Sequence, residues 1–139
     1  MMSTEENKAI IRRYFEELFN QGNFSVADEI IAEGYQSTLP GVGPGPDGQK
    51  QFYQMYQAAF PNLHFTIEDM IAEGDKVVTR WTARATHQGE FQGIAPTGKQ
   101  VTVSGISIDR IADGKMQETW TNYDQLGMLQ QLGVIPTST

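Results

Sequence analysis

Arg110, Glu118, Asn122 and Asp124, all able to do chemistry, crowd the last third of the 139-residue sequence. They flank Ala112-Asp113-Gly114, a tripeptide suited to a hairpin loop with Gly114 in the left-handed position. A three-residue loop pairs Ile111 with Lys115 and carries the register through Arg110 with Met116, Ile108 with Glu118, Ile106 with Trp120, Ser104 with Asn122 and Thr102 with Asp124. The even-numbered residues then share one sheet face. That face mixes Ile106, Trp120 and Met116 with two acids, an amide and an arginine, and burying each of those polar groups is costly unless it is partnered. An apolar pocket with a few placed polar groups accounts for the mixture better than a structural core does. A two-residue Asp113-Gly114 loop would shift the pairing by one and scatter these residues across both faces.

Such a pocket suits proton transfer. A carboxyl raised in pKa by apolar neighbours such as Trp120 and Ile106 can take a proton from carbon and give one to oxygen, and this face carries two acids, Glu118 and Asp124. Asp124 equally stands where a side chain would cap the helix that follows. Arg110 can pair with Glu118 or Asp124, or stabilise enolate charge. Trp81, Trp120, Phe15 and Tyr35 are candidate pocket walls, with Ile106, Glu118 and Asn122 on the paired face. His87 stands where a strand meets a glycine-rich loop.

Other chemistries find less support. The chain has no Cys and two distant His, which excludes thiolate ligands and gives no metal-ligand spacing. Gly41, Gly43, Gly45 and Gly48 lack the strand-before, helix-after setting and the Lys of a phosphate loop, and no Ser sits in a nucleophile elbow. We therefore expect neither a metal nor an organic cofactor. A formal charge of −7 opposes binding to nucleic acid or anionic lipid. No apolar run approaches the roughly 20 residues that span a bilayer, and charged residues break any secretory signal near the start. The expected protein is a cytoplasmic single domain over residues 1–139, with a small apolar molecule as its partner.

The elements that would hold these residues follow from periodicity. Ser3 and Glu6 have capping-box spacing, and Ile10, Ile11, Tyr14, Phe15, Leu18 and Phe19 recur at helical period up to Gly22. Ser25 opens a second helix through Ile30 and Ile31 that stops at Gly34. Leu39 to Gly48 is too rich in Pro and Gly for a regular element and reads as a flap. Asp47 can cap a third helix, which ends before Pro61. The period then falls to two, with strands expected from Leu63, Lys76, Lys99 and Lys115 and a short helix closed by Gly133. Helices followed by strands indicate an α+β fold: three helices on one face of a strongly curved, largely antiparallel sheet, forming a cone around a pocket.

The stretches GDKVVTRWTARATHQGEFQGIAPTGK from Gly74 and RIADGKMQETWTNYDQLGMLQQLG from Arg110 resemble those of the SnoaL-like polyketide cyclases (ester cyclases) of the NTF2-like superfamily. The resemblance extends over nearly the whole chain. It implies a cone with an interior pocket, often paired through its outer sheet as a homodimer, and an intramolecular aldol closure run without metal or organic cofactor. By its place in the Trp-x-x-x-Asp motif, Asp124 would be the acid/base. Characterised cyclases use a His near that Asp, and the position aligned with it holds Arg110. Isomerisation, dehydration, epoxide opening or simple ligand binding are the alternatives for the same cone. Val101, Val103, Ile111 and Tyr123 would offer apolar area for pairing or for cover by a helix.

Overall fold

In a computed structural model, which describes residues 3–136, the Ser3 hydroxyl accepts from the Glu6 amide while the Glu6 carboxylate accepts from the Ser3 amide, both at 3.1 Å. This reciprocal cap starts α1 (Thr4–Arg13), and the same stripe continues without a break as a π-helical segment, Tyr14–Asn20, burying Phe15, Leu18 and Phe19. Helix α2 (Ser25–Ile30) follows.

Ile31 does not extend that helix. The chain turns into β1 (Ile31–Ser37), which runs parallel to the edge of a later strand, with Ile31 opposite Met116 and Gln36 opposite Glu118. Two helical turns contribute few hydrogen bonds of their own, whereas a free sheet edge offers a ladder, so tertiary pairing overrides the helical pattern here. The expected flap is also shorter. Helix α3 (Gly45–Ala59) begins after Pro44, with Pro46 and Asp47 in its first turn, so Asp47 is not its cap and only residues 38–44 lack regular structure.

Strands β2 (His64–Glu73), β3 (Lys76–Thr86), β4 (Gln100–Ala112) and β5 (Lys115–Tyr123) complete a five-stranded sheet in the order β1-β5-β4-β3-β2, antiparallel except at β1. Helix α4 (Gln125–Leu132) ends at Gly133, whose φ of +83° suits a residue without a side chain. Helix α1 packs on β2 and β3, the π segment on β2, α3 on β1 and α4 on β4. The architecture is the expected α+β cone, with three N-terminal helices closing the concave side of an open sheet.

The β4–β5 hairpin departs from the expected register in an instructive way. Its loop is the two-residue Asp113-Gly114 turn, with φ of +54° and +76° and Ala112 opposite Lys115, as a mirror-image turn requires. A bulge then gives β5 one extra residue, Gln117, whose amide donates to the carbonyls of Ala112 and Lys115 at 3.0 and 3.3 Å. Beyond the bulge Arg110 pairs with Glu118, Ile108 with Trp120 and Ile106 with Asn122. Beyond the bulge the even-numbered residues do share a face, but two positions out of the expected alignment, and that face points outward: Ile106 is 50% exposed and Trp120 37%, whereas Met116, before the bulge, pairs with Ile111 and is buried in the core.

The neighbouring strand decides which face is buried. In β3, Val77, Thr79, Trp81, Ala83 and Ala85 point inward while Arg80 and Arg84 point to solvent. Val77 pairs with Asp109, Trp81 with Gly105 and Ala83 with Val103, so the odd-numbered residues of β4 must line the concave side. Val101, Val103 and Ile111 are accordingly core residues, not outer surface.

Candidate active site

The concave side encloses a cavity of about 100 Å³ between the π segment, α3 and strands β2 to β5. Its walls are mainly aromatic: Phe65 meets Phe19 and Trp81 edge to face with ring centroids 5.2 Å apart, and Phe15 in a tilted contact at 5.4 Å. Polar groups enter it from two adjacent rungs of the β4–β5 ladder, Asp109 opposite Thr119 and Ser107 opposite Thr121. Asp109 is the one carboxyl among the residues that line it.

Asp109 is 1% exposed, and no cation pairs with it among the described residues. Its carboxyl accepts one hydrogen bond, from the Thr119 hydroxyl at 2.5 Å. Burial away from water pushes its pKa up to about 7, and the Thr119 bond opposes the rise without cancelling it. Behind Thr119 the hydrogen bonds continue in one direction. Tyr35 donates to Thr119 at 2.7 Å, the Gln49 amide donates to Tyr35 at 3.2 Å, and Tyr14 donates to the Gln49 carbonyl oxygen at 3.1 Å. Burial raises the Tyr35 phenol to about 12 and drives Tyr14 well above its ordinary range, so both stay protonated as donors. The chain from α1's π extension through α3 and β1 thus fixes the Thr119 hydroxyl on Asp109.

The second rung is held differently. The Trp81 indole donates to the Ser107 hydroxyl at 3.0 Å, and Ser107 and Thr121 share a hydrogen bond at 3.1 Å. Gly105 permits this, because a Cβ there would strike the indole ring that lies across it.

Of the residues singled out from sequence, Phe15 and Trp81 line the cavity, and Tyr35 stands directly behind it on Thr119. The others lie elsewhere. Asp124 is exposed at the start of α4, its carboxylate accepting from the Gly127 amide at 2.9 Å, so its geometry is that of a helix cap. Arg110 and Glu118 form an ion pair at 2.8 Å on the outer face, which Ile106, Trp120 and Asn122 share. His87 is fully buried against Phe60, with ring centroids 5.3 Å apart, and its Nδ1 accepts from the Thr97 amide at 3.2 Å, which anchors the loop after β3. Asp109, Ser107, Thr119 and Thr121 were not singled out. The signal that finds them is the clean in/out alternation of β3, once carried across to β4.

Among the described residues no three His, Asp or Glu side chains gather as a metal-binding group, and no helix is long and apolar enough to cross a membrane. Comparison with known proteins gives three findings. The family model for SnoaL-like polyketide cyclases matches residues 9–132. The nogalonic acid methyl ester cyclase of Streptomyces nogalater is 30% identical over 119 residues, covering 83% of this chain and 89% of that protein. Among solved structures, IdmH from Streptomyces antibioticus is 36% identical with a TM-score of 0.79, covering 92% of this chain and 99% of that one; TsrD from Streptomyces laurentii is 26% identical with a TM-score of 0.89, covering 97% and 100%.

Proposed function

The chain belongs to the SnoaL-like polyketide cyclase family, with an NTF2-like fold, and from that premise we propose that it closes a ring in a small, largely apolar carbonyl compound by cofactor-independent proton transfer at Asp109. The observation that carries this reading is a buried carboxyl with no cation beside it among the described residues, balanced near neutrality, in an aromatic cavity. An acid/base works best when its pKa lies close to the ambient pH, because both of its forms are then populated. As carboxylate, Asp109 takes a proton from a carbon flanked by carbonyl groups. The C–H pair becomes the enolate double bond, and the enolate carbon attacks a second carbonyl of the same molecule. Asp109 then returns the proton to the new alkoxide, so substrate and product are isomers of equal mass. Flanking carbonyls acidify the carbon, so this route calls for no metal or organic cofactor.

This assigns to Asp109 the role the sequence suggested for Asp124. Epoxide opening, which needs a second carboxyl to position water, loses its candidate because Glu118 is held by Arg110 outside the cavity. The family resemblance also supports a homodimer through the outer sheet, for which Ile106, Ile108 and Trp120 supply exposed apolar area.

The test uses nogalonic acid methyl ester, the compound named for the Streptomyces nogalater relative, with chromatographic separation of isomers. Wild-type protein should yield a ring-closed product of unchanged mass, and Asp109→Asn should lose at least about 100-fold in turnover, the usual reach of general acid–base catalysis. Asp109→Asn should keep ligand affinity. Full turnover by that variant would refute the assignment.

A further inference from the structure

The proton-transfer reading leaves the second polar rung unused, and its hydrogen bonds can be counted. Trp81 Nε1, Ser107 Oγ and Thr121 Oγ1 carry three donor protons, while two hydrogen bonds join them, Trp81 to Ser107 at 3.0 Å and Ser107 to Thr121 at 3.1 Å. An indole N–H cannot accept, so the Trp81 bond has a fixed direction. If Ser107 donates to Thr121, the Thr121 proton is left over; if Thr121 donates to Ser107, the serine accepts twice and keeps its own. In either arrangement one hydroxyl proton has no acceptor among the described residues, and both hydroxyls line the cavity.

We propose that Ser107 and Thr121, oriented by the Trp81 indole, are the oxyanion donor of this site and hold the substrate carbonyl whose α-carbon faces Asp109. The inference rests on the reading of Asp109 as the proton carrier and adds where the negative charge goes. Ser107 and Asp109 are same-face neighbours on β4, two residues and therefore roughly 7 Å apart along the strand. That separation leaves room for the oxygen and α-carbon of one carbonyl group, each within close approach of its own rung. When the α-proton moves to Asp109, the C=O pair shifts onto oxygen, and the hydroxyl proton left without an acceptor at the cavity wall can turn to meet it. A donor whose oxygen is already in place needs little reorganisation as charge develops, and exclusion of water strengthens it.

The donor count makes an unusual prediction about variants. Thr121→Val leaves Ser107 accepting from Trp81 with its own proton free, so one hydroxyl donor survives. Only the double variant Ser107→Ala/Thr121→Val removes both hydroxyls. The probe is 2,4-dinitrophenolate, with 1,3-dinitrobenzene as its counterpart without the oxygen, measured at about pH 5, where Asp109 is neutral because its pKa is raised to about 7. Dinitrophenolate affinity should change less than about threefold in Thr121→Val and fall about tenfold or more in the double variant, the range of one hydrogen bond to a charged group. Dinitrobenzene affinity should be the same in all three proteins, which also reports that the variants are folded. Unchanged dinitrophenolate affinity in the double variant, an equal loss for both probes, or no binding of either to wild type would overturn the proposal. Should the double variant lose dinitrophenolate selectively while Asp109→Asn retains full turnover, the donor stands and the acid/base assignment falls.

Discussion

At the scale of single residues, Asp109 makes the folded protein sensitive to pH in a defined direction. Its folded pKa of about 7 lies above the 3.8 of an unhindered carboxyl, so the unfolded chain releases this proton first as pH rises. Its contribution to stability is complete below about pH 4 and is lost progressively up to about pH 7, beyond which the loss is constant. Denaturation of wild type and Asp109→Asn over that range should show the variant gaining relative stability, reaching on the order of 4 kcal/mol at and above pH 7. Parallel pH profiles would mean that Asp109 ionises as freely as a surface acid. Gly105 is the other residue whose size matters, since the Trp81 indole occupies the space a side chain would need. Gly105→Ala should displace the indole from Ser107, seen as loss of a hydrogen-bonded Trp N–H resonance, and should destabilise the fold by about 1–3 kcal/mol, as overpacking usually does.

Among the elements, the β4–β5 hairpin controls which side chains reach the cavity. The Gln117 bulge absorbs one residue, so Met116 and Thr119, three apart in sequence, both point inward. Deleting Gln117 removes the extra residue itself, so Met116 and Glu118 become neighbours, Thr119 stays opposite Asp109 and turnover should survive; loss of turnover would mean that the bulge does more than set the register. Helix α4 supplies a contrast. Asp124→Ala removes its cap and should cost about 0.5–2 kcal/mol while leaving turnover intact, the reverse of the pattern expected for a reacting acid.

Much of this level was legible in the sequence. The capping box, the aromatic stripe from Tyr14 to Phe19, the long strands and the Gly133 stop follow from local chemistry, and each appears in the structure. Strand β1 was not legible, because Ile31 continues the apolar stripe of α2 and reads equally as helix, and only β5 makes it the start of a strand. The candidate acid was missed for a related reason: both faces of β4 mix apolar and polar residues, so its sequence does not say which is buried. Arg80 and Arg84 on β3 do say so, but only after a strand-to-strand register that the loop over residues 87–99 hides.

For the molecule as a whole, the sheet has two unlike faces, a concave one lined by aromatic side chains around Asp109 and a convex one carrying Ile106, Ile108 and Trp120 in partial exposure. If the convex face pairs two copies, Ile108→Lys/Trp120→Glu should shift sedimentation from dimer to monomer and leave the isomer-forming reaction intact. A wild type that sediments as a monomer would remove that face from the account. Helices, aromatic walls and ladder register converge on one property, the proton affinity of a single carboxyl. Carbon-13 NMR of the Asp carboxyl groups, read as the difference between wild type and Asp109→Asn across pH, measures it without any substrate. The account predicts one resonance with a midpoint of about 7, and a midpoint near the ordinary 3.8 would contradict it.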